Sequence, residues 1–161
     1  MSETSFVLTA SGARRIEAEL RELQTKRRQE VAEHIRHAKD LGDVAENPEY
    51  EDAKTEQAFV EGRIADLKSI LAAAQVIEQE DVSTDEIGVG SVVVVREVES
   101  SEDWEFTMVG SFEADPDVDR ISNESPIGEA LMERKVGDRV EIRVPAGTVT
   151  YEVISIRRES E

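Results

Sequence analysis

Apolar positions recur along the first half of the chain with a helical period and along the second half with a period of two. Ala13, Ile16, Leu20 and Leu23 stand three or four residues apart, and Val31, Ile35 and Ala38 continue the series after a one-residue slip. From Tyr50 the spacing is a strict heptad through Ala53, Gln57, Val60, Ile64, Leu67, Leu71 and Ala74. The two series fold onto one another. Facing numbers total 87 when Ala13 meets Ala74, Ile16 meets Leu71, Leu20 meets Leu67 and Leu23 meets Ile64. They total 88 for Val31 with Gln57, Ile35 with Ala53 and Ala38 with Tyr50. A constant total marks antiparallel layers, so the expected structure is an intramolecular helical hairpin, and hence a monomer. The slip is expected as a stutter that locally unwinds a coiled coil. At ~1.5 Å per residue, each arm of about 30 residues would run about 45 Å.

Residues Lys39 to Lys54, KDLGDVAENPEYEDAK, lie where the arms meet. Lys39 is near the end of helix one, Gly42 can take a left-handed turn, and Asn47 can cap helix two with Pro48 at its first position. Asp43, Val44, Ala45 and Glu46 are then left in the turn. Glu49, Glu51 and Asp52 complement the dipole of a first helical turn. Asp43 and Glu46 precede the helix, so that explanation suits them less well, and a solvated acidic turn is the plain alternative. At the other end, Thr9 or Ser11 can cap helix one, and Phe6, Val7 and Leu8 are expected to pack against the hairpin's base. Helix two is expected to fade near Glu78.

The segment EDVSTDEIGVG has the composition of a linker. Beyond it, Val89 to Val98, Trp104 to Phe112, Val136 to Val144 and Thr148 to Arg157 alternate as strands, with a short one at Val118 to Ile121. Ser125 and Pro126 start a short helix reaching Glu133, and Pro145 to Gly147 supply a hairpin turn. The expected class is α+β: a coiled-coil hairpin over residues 1–80, then a globular domain over 81–161 with a mostly antiparallel sheet.

Charge narrows the choice of partners. The net charge of -18 is spread as 11 basic against 17 acidic residues through Glu80 and 8 against 20 beyond it. Such a balance opposes binding to duplex DNA and favours a basic protein surface. Within the acidic molecule, Lys26, Arg27, Arg28, Arg36, Lys39 and Lys54 form a local basic strip along the arms. The ordinary alternative is pairing with Glu22, Glu30 and Glu33 at helical spacing. His34 and His37 have no third histidine or cysteine to complete a zinc site. Without cysteine there are no disulfides. No apolar run is long enough to span a membrane and the N-terminus lacks signal-peptide blocks, so the expected compartment is the cytoplasm.

Two blocks, GDVAENPEYEDAKTEQAFVEGRI from Gly42 to Ile64 and SPIGEALMERKVGDRVEIRVPAGTVTYEVISI from Ser125 to Ile156, resemble the GreA family of bacterial transcript-cleavage factors. The resemblance implies RNA polymerase as partner, with the hairpin in its secondary channel and an FKBP-like C-terminal domain on the channel rim. It also implies that Asp43 and Glu46 help hold Mg²⁺ at the polymerase active site, with no cofactor of the factor's own. Arg36, Lys39 and Lys54 would contact the displaced nascent RNA 3′ end. The tip reads GDVAEN where GDLSEN or GDLKEN is more usual, and Pro48 replaces a common Ala; neither change touches the carboxylates. An FKBP-like fold does not bring isomerase activity: Trp104, Phe106, Phe112 and Tyr151 are too few for such a pocket, and most are expected in the core. A channel-binding inhibitor and a coiled-coil adaptor remain as other classes.

Overall fold

The computed structural model describes residues 6–42 and 44–159. They divide into two compact units, one holding Arg14–Ala73 and the other joining the residues up to Ala13 with those from Ala74 onward. The sequence-based boundary at residue 80 differs from this division because two short strands belong with the second unit.

In the first unit the chain runs through α1 (Ala10–Glu22), a π-helix (Leu23–Arg27), α2 (Arg28–Asp40) and α3 (Pro48–Ala73). Buried Val31, Val60 and Ile64 form the seam, with half-buried Leu20, Leu23 and Ile35 packed against them. Toward the turn the seam narrows to Ala38 and Ala53, both 0% exposed. The heptad positions of α3 are therefore the buried ones. The one-residue slip is not a supercoil stutter. It falls on the π-helix, where the Arg28 N–H donates to the Leu23 carbonyl five residues back. A single extra residue widens one helical turn locally, whereas a stutter inserts four. Thr25 donates its hydroxyl to the Arg21 carbonyl at 2.7 Å in the same stretch.

The second unit opens with β1 (Phe6–Thr9) and β2 (Ala74–Ile77), which pair in parallel with Phe6 opposite Ala74 and Thr9 opposite Ile77. Helix two thus stops at Ala73, not near Glu78, because β-branched Val76 and Ile77 find a strand partner in Phe-Val-Leu-Thr. The Ala13–Ala74 helical layer does not form, and Phe6, Val7 and Leu8 are strand residues.

The larger sheet comprises β3 (Ser91–Glu97), β4 (Asp103–Val109), β5 (Arg120–Ser122), β6 (Arg139–Val144) and β7 (Gly147–Arg158). Their order is β5-β4-β3-β7-β6, antiparallel throughout except where β5 joins β4. Val93, Val95, Phe106, Met108 and Val153 face a core that Leu131 of α4 (Pro126–Leu131) closes. Ser125 caps α4, its hydroxyl accepting from the Gly128 N–H at 3.1 Å.

β4 ends earlier than the alternation suggests. At Gly110 a Cβ would stand 1.9 Å from the Val7 carbonyl oxygen, so the chain passes tightly under β1 and turns into Ser111–Glu113. Phe112, one of the four aromatics of which most are expected in the core, is 55% exposed and packs its ring against Phe6, centroids 4.4 Å apart and tilted by 44°. The turn delivers the buried Glu113 carboxylate to the start of α1. There it accepts from the Thr9 N–H at 2.8 Å and from the Thr9 hydroxyl at 2.5 Å. Thr9 in turn caps α1 by accepting from the Gly12 N–H at 3.0 Å. Arg120 meets Glu113 at 3.4 Å and Glu159 at 3.2 Å, which compensates a carboxylate that would otherwise be costly to bury.

Candidate functional site at the hairpin turn

One side chain holds the turn. Asn47 is 9% exposed, and its Oδ1 accepts from the backbone N–H groups of Glu49 at 3.0 Å and Tyr50 at 3.3 Å. This satisfies two of the orphan donors at the start of α3. Its Nδ2 donates to the Ala38 carbonyl in the last turn of α2 at 2.7 Å. Asn47 therefore ties both arms together. The capping role is legible in the Asn-Pro pair; the bond to Ala38 has no local sequence signal.

The exit from α2 corrects one expectation. Leu41 keeps right-handed angles, φ -82 and ψ -15, and the N–H groups of Leu41 and Gly42 bond the Ala38 and Lys39 carbonyls at 3.2 and 3.4 Å. Gly42 is not among the residues with positive φ, so the helix tightens into its last turn without a left-handed cap. A 3-10 turn, Val44–Glu46, follows and places Glu46 directly before Asn47 with its side chain exposed. Asp43 lies outside the described residues.

The basic strip separates into two groups. Arg28 forks onto Glu61 with both bonds at 2.8 Å, and Arg63 onto Glu19 at 2.9 and 3.1 Å. Arg27 bridges Glu30 at 2.9 Å and Glu56 at 2.7 Å, while His34 Nδ1 sits 2.9 Å from Glu56. Of the pairing expected with Glu22, Glu30 and Glu33 along one helix, the Arg27–Glu30 bridge forms, while the other contacts cross between the arms. Hydrogen bonds from Arg27 and then His34 hold the Glu56 carboxyl below its usual range, and one from Arg28 does the same to Glu61. The second group is different. Arg36 and Lys39 are exposed with no side-chain partner among the described residues, and exposed Lys54 donates only to Gln57 at 2.9 Å.

Among the described residues no cluster of three His, Asp or Glu side chains could hold a metal. Glu46 offers one exposed carboxylate, which supplies too few oxygen ligands to hold a cation by itself. No described helix is long and apolar enough to cross a membrane.

Two family profiles match the chain in succession: "Transcription elongation factor, N-terminal" over residues 6–76 and "Transcription elongation factor, GreA/GreB, C-term" over residues 82–158. The chain is 49% identical over 158 residues to transcription elongation factor GreA of Clostridium perfringens, covering 98% of this chain and 100% of that one. It is 49% identical to the protein of the same name from Alkaliphilus oremlandii, covering 98% and 99%. A solved structure, GreA factor homolog 1 of Thermus thermophilus, is 31% identical with coverage of 95% and 99% and a TM-score of 0.42.

Proposed function

The chain belongs to the GreA/GreB family of transcription elongation factors, and from that premise we propose that it enters the secondary channel of RNA polymerase and stimulates the polymerase's own cleavage of backtracked RNA. The observation that carries this reading is the turn itself. Asn47, bonded to both arms, precedes α3 directly after the exposed Glu46, and the cations Arg36 and Lys39 are exposed without a side-chain partner among the described residues.

Each group has a part in the proposed reaction. Glu46 and its neighbour Asp43 present negative charge to the polymerase active site, where one or two carboxylates suffice to retain a weakly held second Mg²⁺. Bound there, that ion would supply water activation and charge stabilisation for phosphodiester hydrolysis. Arg36, Lys39 and Lys54 steer the displaced RNA 3′ end by its phosphates. The factor acts as an accessory, and the cleavage it stimulates is the polymerase's own. It works as a monomer in the cytoplasm, where bacterial transcription occurs, and needs no cofactor of its own.

A stalled, backtracked elongation complex with labelled RNA and Mg²⁺ tests the reading. Added factor is expected to release short 3′ fragments and restore elongation. Slower elongation with no fragment would identify an inhibitor instead, and a protein that fails to co-elute with polymerase would be an adaptor for another complex.

A further inference from the structure

Among the described residues three glycines lie inside helices, and two of them face a wall. A Cβ on Gly12 would stand 2.1 Å from Glu113, and one on Gly128 would stand 1.9 Å from the Ser122 carbonyl oxygen. Gly62, in the interior of α3, has nothing within 4 Å of where its Cβ would be. Glycine weakens an exposed helix interior relative to alanine, so the hairpin carries a cost at residue 62 that its own packing does not require. Three residues earlier, on the same face, Phe59 is 73% exposed, the highest value among the described large hydrophobic residues. Asp52 and Asp66 stand one heptad to either side of Phe59 and are exposed, with no salt bridge among the described residues although Asp66 lies within the field of Arg63, and Thr55 is exposed between them. Arg63, the nearest cation on α3, is already forked onto Glu19.

An outward phenylalanine beside a bare stretch of helix backbone, flanked by exposed carboxylates, describes a contact surface. A second copy of the chain would bring the same aspartates against these, so self-association is disfavoured. The complementary surface has an apolar socket bordered by Arg or Lys and lies close enough to touch the α3 backbone. Resting on the polymerase reading above, we propose that Asp52, Thr55, Phe59, Gly62 and Asp66 seat α3 on such a basic-rimmed socket in the RNA polymerase channel wall. Residue 62 is glycine because that wall closes against the helix.

The test compares full-length wild type with Gly62→Leu, Phe59→Ala and a control on another face of α3, Lys68→Ala. Affinity for purified bacterial core RNA polymerase, thermal melting by circular dichroism and sedimentation velocity are measured for each. Gly62→Leu is expected to melt at or above the wild-type temperature, since its side chain meets nothing in the hairpin, yet to bind at least tenfold more weakly. Phe59→Ala loses at least fivefold, and Lys68→Ala binds as wild type does. If wild type binds but Gly62→Leu and Phe59→Ala bind equally well, this surface proposal is overturned while the polymerase reading stands. If wild type itself fails to bind, the polymerase reading falls and this inference with it. A wild-type dimer abolished by Gly62→Leu would overturn the inference by showing a second copy as the occupant.

Discussion

Along the middle of the hairpin, Arg63, Arg28 and Arg27 are tied across the arms to Glu19, Glu61 and Glu56, over a seam of Val31, Val60 and Ile64. Past Ile35 the seam shrinks to Ala38 and Ala53, Arg36 and Lys39 have no side-chain partners among the described residues, and Glu46 is exposed. The same helices thus carry charges that build the hairpin and charges left exposed near its turn, and the two sets are separated along its length. Distinguishing them takes more than residue type, since Arg27 and Arg36 look alike in the sequence. Arg27 is neutralised by Glu30 on its own arm and by Glu56 on the opposite one.

Substitutions at each end should therefore fail in different ways. The largest effect on stability is expected from Ile64→Ala, which opens the narrow seam and should cost about 2–4 kcal/mol in denaturant unfolding. Next comes Asn47→Ala. Loss of the α3 cap and of the bond to Ala38 should cost about 1–2 kcal/mol, and stimulated cleavage should fall as Glu46 loses its fixed position. Arg36→Ala with Lys39→Ala should leave melting within about 0.5 kcal/mol of wild type while weakening cleavage. Equal loss of stability at both ends would erase the distinction.

The smallest effect concerns pH. Glu56 and Glu61 have folded-state pKa values below their unfolded ones, so their contribution is present above the unfolded carboxylate range and is lost as pH falls through the folded values. These pairs are well exposed, which keeps the contribution small and salt-sensitive. Melting temperature should therefore decline modestly on acidification at low salt, and Glu56→Gln with Glu61→Gln should flatten that decline.

Much of this was legible from spacing. The heptad of α3 correctly marks Val60, Ile64 and Leu67 as buried, the antiparallel hairpin follows from the layer totals, and the five strands and the Ser125–Pro126 helix start lie close to where alternation and capping put them. What escaped depends on residues distant in sequence. Ala74–Ile77 leaves the helix because Phe6–Thr9 is there to pair with it. Glu113 is buried because Thr9, 104 residues away, donates to it twice. The slip between Leu23 and Val31 was visible, but its form was not, because periodicity counts residues without saying whether a supercoil or a single widened turn absorbs the extra one. Within the site, the cap at Asn47 could be read locally and its grip on Ala38 could not.

The most direct test of the tip's role is cleavage of backtracked RNA by the Asp43→Ala, Glu46→Ala double variant at matched polymerase occupancy. Stimulated cleavage should disappear while polymerase binding stays near wild type. Full stimulation by the bound double variant would contradict the assignment of the chemistry to these carboxylates.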